Sequence, residues 1–120
     1  MKKIYNKLVR DKMVGIYKHD VENKVSASGY VVEYLSKEET LLILKDKLLE
    51  EADEVFEVYD KEDTTQLKEE LADVIEVIYA MLFHKGISLD EVLAVREAKK
   101  EKKGGFEKGL YLKSIDYFDK

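Results

Sequence analysis

The sequence predicts an all-α protein, an antiparallel bundle of four to five helices. Three observations lead there. Apolar residues recur at three- and four-residue spacing over long stretches. Proline is absent, so no helix interior is barred on that account. Serine or aspartate stands before the periodic stretches and glycine after them, as helix ends favour. With 120 residues the chain reads as one domain spanning 1–120.

Each element can be argued in order. Residues 1–12 are polar and basic, with few helix signals. A first helix is expected from about Asp11 to Asn23, with Met13, Val14, Ile16, Tyr17 and Val21 as its apolar set. Ser26 to Gly29 reads as a turn. Tyr30 to Leu35 is β-branched and aromatic, which suits an extended segment or the start of a helix. Ser36 and Glu39 form a capping box that opens a second helix running to about Tyr59. Leu41, Leu44, Leu48, Ala52, Val55 and Tyr59 mark its expected core face.

Asp60 to Asp63 is a charged loop, and Asp63 with Gln66 can cap a third helix that stops before Gly86. Beyond Asp73 this helix is apolar nearly all round, the mark of a central helix or of one in a subunit interface. Ser88 and Glu91 suggest another capping box, opening a fourth helix that runs to about Lys103. Gly104-Gly105 ends it. The tail carries Tyr111, Tyr117 and Phe118 and is expected to pack back on the bundle or on a partner.

Composition removes several classes. Apolar residues at 45% and charged residues at 39% describe a folded chain, not a disordered one. No cysteine is present, so disulfides, thiolate zinc sites and cysteine nucleophiles are excluded. No serine, histidine and acid stand in a triad context. No apolar run approaches a membrane span, and the opening lysines are not followed by the apolar run of a signal peptide. A cytoplasmic protein without a membrane partner is expected. The net charge of −5 argues against a nucleic-acid polymer as partner. It leaves a nucleotide open, because a bound metal reverses the local sign.

The informative constellation is acidic. Glu50-Glu51-Ala52-Asp53-Glu54 lies on the second helix and Glu70-Leu71-Ala72-Asp73 on the third. Glu51 and Glu54 are three apart and so are neighbours, as are Glu70 and Asp73. With Leu48 at the centre of the core face, Glu51 falls about 60° away, Glu54 about 120° and Glu50 about 160°. Geometry therefore favours Glu51 and Glu54 for the helix seam. A short loop makes the two helices antiparallel neighbours, so the two carboxylate pairs can face each other. Four close anions repel, and a divalent cation resolves the conflict. An all-oxygen set favours Mg²⁺, Mn²⁺ or Ca²⁺ over zinc.

These segments resemble a known family. The pattern E-E-x-x-E followed by E-x-x-D is similar to that of the all-α nucleoside triphosphate pyrophosphohydrolases. That superfamily includes MazG-type enzymes, phosphoribosyl-ATP pyrophosphohydrolases and the dimeric dUTPases. Tyr5-Asn6-Lys7-Leu8-Val9-Arg10-Asp11-Lys12 resembles the N-terminal signature of a MazG-like subgroup described as phosphoribosyl-ATP pyrophosphohydrolase-like, or house-cleaning. Arg96-Glu97-Ala98-Lys99 and Lys103-Gly104-Gly105-Phe106 resemble its C-terminal signature.

The resemblance implies hydrolysis between the α and β phosphates of a nucleoside triphosphate or related nucleotide, with Mg²⁺ (or Mn²⁺) as cofactor. It implies Glu51, Glu54, Glu70 and Asp73 as metal ligands. Glu50 would stand just outside the ligand set or act as base on water, so Glu50 and Glu51 are the catalytic candidates. It also implies a dimer or a dimer of dimers. One alternative is a phosphoribosyl-ATP pyrophosphohydrolase of histidine biosynthesis; another is a non-catalytic helical binding module. A triphosphate needs cations beyond the metal. Lys7, Arg10 and Lys12 form one candidate cluster. Arg96, Lys99 and Lys103 form another, at i, i+3, i+7 on one helix face. The chain uses arginine only at positions 10 and 96, which favours those two where a planar fork matters.

Overall fold

In the computed structural model, which describes residues 1–119, four helices and no strand are present: α1 (Met13–Glu22), α2 (Lys37–Val58), α3 (Thr65–Lys85) and α4 (Leu89–Lys103). The chain is thus all-α, with four helices among the described residues. It forms two compact units, Met1–Ile87 and a second beginning at Ser88.

Local chemistry sets the helix ends. At the start of α2, Glu39 N donates to Ser36 Oγ at 3.1 Å and Ser36 N donates to Glu39 Oε1 at 3.2 Å, completing the expected box. The start of α3 differs from expectation. Asp63 Oδ1 accepts from both the backbone and the hydroxyl of Thr65, while Gln66 pairs with Lys61 instead of closing a box. Gly86 ends α3 at φ +68, with Ile87 N donating to Leu82 O at 3.0 Å. That backbone favours glycine. At α4, Ser88 Oγ accepts from Glu91 N at 3.1 Å, but the Glu91 carboxylate takes the Ser88 hydroxyl and not its backbone amide. The cap is therefore only half a box.

α1 begins two residues later than expected, and Lys12 at its N-cap makes no side-chain cap bond. The turn after α1 falls at Asn23-Lys24 instead of Ser26–Gly29, with Lys24 at φ +51. Residues 30–35 form no helix or strand.

The first unit is organised around α2 against α3. The start of α2 (Lys37, Thr40) and the end of α3 (Phe83, His84) line one shallow cleft, so the two helices run antiparallel. Leu44 on α2 and Val77 on α3 are the buried apolar side chains of the seam. The α3 stripe follows Leu67, Glu70, Val74, Val77 and Met81, a regular three- and four-residue alternation.

On the expected inward face of α2, Leu44 is buried and Leu41, Leu48 and Val55 are half-buried. Ala52 and Tyr59 are exposed, and Lys47, Glu51 and Val58 lie on the inner side with Leu44. Ile16 of α1 likewise points outward. In the tail, Phe106, Tyr111, Tyr117 and Phe118 are exposed.

Candidate metal centre

The antiparallel pairing of α2 and α3 brings four carboxylates together. Glu51, Glu54, Glu70 and Asp73 each offer an oxygen, and these oxygens lie within 4.8 Å of one another. Two come from each helix, at the i, i+3 spacing that stacks side chains on adjacent turns. Glu51 is buried and the other three are half-buried. Glu50 lies beside them on α2 with 40% of its side chain exposed.

The electrostatics of this arrangement are unfavourable as it stands. Burial pushes the Glu51 carboxyl above the ordinary glutamate range; its bond to Lys47 partly offsets this, and the nearby Glu54 adds to the rise. Glu54 is also pushed up, first by the adjoining Glu70 carboxyl and then by burial. Glu51 Oε2 and Glu70 Oε2 are buried and have no hydrogen-bond partner. Such orphans are costly. One buried carboxylate oxygen on each helix is therefore left without a donor. Oxygen-only donors, in this number and at this separation, fit a hard divalent cation.

Two cations of the protein sit at the edge of the cluster. Arg10 Nη2 lies 2.6 Å from Asp73 Oδ1. Lys47 Nζ lies 3.2 Å from Glu51 Oε1 and 3.3 Å from Glu50 Oε1. Desolvation acts against the charged Lys47, yet its bonds to Glu51 and Glu50 outweigh this and hold its pKa above the ordinary lysine value. Sequence reasoning marked Arg10 but missed Lys47. Its position three and four residues before Glu50 and Glu51 was the available signal.

The other basic candidates distribute as follows. Lys7, with Asn6 and Leu8, lines a groove of about 100 Å³ against Ile43, Asp46, Lys47 and Glu50 of α2. Lys7 also places its ammonium 5.4 Å from the Tyr5 ring centre, a cation–π distance. Lys12 is exposed at the start of α1. Arg96, Lys99 and Lys103 are exposed on α4 in the second unit, where Arg96 pairs with Glu97 at 3.4 Å. Gly104 closes α4 at φ +84, which accounts for that glycine as a helix stop.

Fold and cluster define an all-α protein with a converging carboxylate site able to hold a divalent cation. Residues 16–100 match the phosphoribosyl-ATP pyrophosphohydrolase family, which is part of the MazG-like superfamily, and the chain belongs to that family. It is a pyrophosphohydrolase of this superfamily, whose members act on nucleotides. No curated protein and no solved structure matches it. The match encloses all four clustered carboxylates, while Arg10 and Lys103 lie outside it. No helix among the described residues is long and apolar enough to cross a membrane.

Proposed function

We propose that this protein is a Mg²⁺-dependent nucleoside triphosphate pyrophosphohydrolase, cleaving between the α and β phosphates to release the monophosphate and pyrophosphate. The convergence of Glu51, Glu54, Glu70 and Asp73, with two buried unpartnered oxygens, is the observation that carries it. In this reading those four hold the cation, with Mn²⁺ as a substitute. A bound cation supplies Lewis-acid polarisation of phosphate and lowers the pKa of water. Glu50, beside the ligand set, would orient that water or take its proton, with Glu51 next to it as a ligand of the cation. Arg10, with Lys7 and Lys12, meets the triphosphate from the N-terminal side. Arg96, Lys99 and Lys103 on α4 are the second set of phosphate-binding candidates.

A house-cleaning role, acting on the free nucleotide pool of the cytoplasm, is the preferred setting. The N-terminal segment carrying Arg10 supports it. That segment lies before the matched residues and resembles the signature of the house-cleaning subgroup. Self-association completes the reading. Leu42, Leu49 and Phe56 form an exposed stripe at seven-residue spacing on α2, and Ile75, Tyr79 and Phe83 form one at four-residue spacing on α3. A chain with so few buried side chains covers such stripes most simply with a second copy, as a dimer or a dimer of dimers.

The competing substrate is phosphoribosyl-ATP. Side-by-side kcat/KM values for phosphoribosyl-ATP and for a panel of plain and deoxy triphosphates decide between them. The proposal expects at least one plain triphosphate to exceed phosphoribosyl-ATP. The reverse order assigns the enzyme to histidine biosynthesis. No turnover of either, with metal bound, points to a non-catalytic binding module.

A further inference from the structure

Lys47 has a place at the cluster that the acidic pattern alone does not mark. Among the ion pairs of the described residues, Lys47–Glu51 is the least exposed, with 17% and 8% of the two side chains accessible. A sheltered pair of this kind is no sure gain in stability, because both charges lose water. Its consequence is geometric. Glu51 Oε1 is held by the ammonium, whereas Glu51 Oε2 is buried without a partner. The two oxygens of one carboxylate are thereby made unequal. The same ammonium reaches Glu50 Oε1 at 3.3 Å, so two acids that are adjacent in sequence share one anchor.

We infer that Lys47 is a positioning residue: it holds Glu51 by Oε1 so that Oε2 is offered into the carboxylate cluster, and it fixes Glu50 alongside. This rests on the cluster being a divalent-cation site. Lys47 lies one turn before its partners on the same helix, so it remains in place when a cation enters. It acts on the cation in two opposed ways. Its charge repels an incoming divalent ion, while its bond orients a ligand for that ion. Groups that orient metal ligands commonly govern affinity by 10–100-fold. The orienting effect therefore sets the sign.

The two effects separate in neutral variants. Mn²⁺ affinity of the full chain is measured by titration calorimetry for the native protein, Lys47→Met, Lys47→Gln and Lys47→Arg, with helical content checked by circular dichroism. Both neutral variants are expected to bind Mn²⁺ about tenfold more weakly or worse, and Lys47→Arg to stay within about threefold of the native protein. Neutral variants that bind as tightly or more tightly overturn the inference, since charge removal alone gives that result. Methionine and glutamine are both good helix formers, and either one that folds suffices. If the native protein binds no Mn²⁺, the metal reading falls and the Lys47 inference with it. If the native protein binds and the neutral variants tighten, only the Lys47 inference falls.

Discussion

Arg10 and Asp73, 63 positions apart in sequence, are joined by a 2.6 Å hydrogen bond from the guanidinium Nη2 to the carboxylate Oδ1. The pair ties the non-helical N-terminal segment to the third helix, at one of the four clustered carboxylates. It is open to solvent, with 60% and 36% of the side chains exposed. Exposed pairs contribute about 0.2–1 kcal/mol. That is too little to hold Arg10 against a divalent ion competing for the same carboxylate. Arg10 is thus a removable cation, in contrast to Lys47, which is anchored on the helix that carries its partners.

Arg10→Ala is therefore expected to act in opposite directions on metal and on substrate. Removing the competitor tightens divalent binding, by up to about fivefold for a pair of this strength. Loss of a guanidinium that bonds phosphate lowers kcat/KM by about tenfold or more. Calorimetric Mg²⁺ titration and steady-state kinetics check the two arms. Weaker metal binding by Arg10→Ala contradicts the exchange.

Asp73→Asn and Glu51→Gln each remove one charge from a crowded group of anions. Metal affinity is expected to fall by tenfold or more and activity by about 100-fold. The metal-free variants are expected to melt no lower than the native protein, because repulsion is relieved. Melting curves in EDTA, set beside Mg²⁺ titrations, show whether both hold.

The raised carboxyls of Glu51 and Glu54 make stability depend on pH in a defined direction. Groups whose pKa is higher in the folded state favour folding in their protonated form. Their contribution is complete below the unfolded pKa and is lost as pH rises through the folded one. In EDTA the melting temperature is therefore expected to rise as pH is lowered from 7 toward the glutamate range. Glu54→Gln flattens this trend by removing one of the two groups. The stabilisation added by Mg²⁺ runs the other way and shrinks as pH falls, since the ion needs ionised ligands. A melting temperature in EDTA that falls over this interval, equally in Glu54→Gln, contradicts the assignment.

The exposed stripes on α2 and α3 predict that the protein sediments as a dimer or tetramer. Phe83→Glu, whose aromatic side chain is 80% exposed in the single chain, is expected to lower the oligomeric state without lowering helix content. Sedimentation velocity across micromolar concentrations tests this, and a native protein that stays monomeric throughout contradicts it.

Much of this arrangement was legible in the sequence because it depends on local chemistry. The Ser36–Glu39 box and Gly86 mark helix ends through bonds that span only a few residues. Two i, i+3 acidic pairs on helices joined by a short loop were enough to bring Glu51, Glu54, Glu70 and Asp73 into one group. The edges of the α2 face were less legible. Leucines at 41, 42, 44, 48 and 49 surround much of that helix, so hydropathy alone did not show that Ala52 and Tyr59 are exposed while Lys47 and Val58 lie inward. Lys47 escaped notice because a lysine is ordinarily solvated. The bond from Arg10 to Asp73 depends on where a non-helical segment settles, which no helical period encodes.

The most direct test of the central claim is pyrophosphate release from a panel of triphosphates and phosphoribosyl-ATP, in Mg²⁺ and in EDTA, with Glu51→Gln as control. Pyrophosphate that appears only with Mg²⁺, and is abolished in Glu51→Gln, is the predicted result. Release that persists in EDTA or survives Glu51→Gln contradicts a reaction carried by the α2–α3 carboxylates, as does silence from a folded, metal-loaded protein across the whole panel.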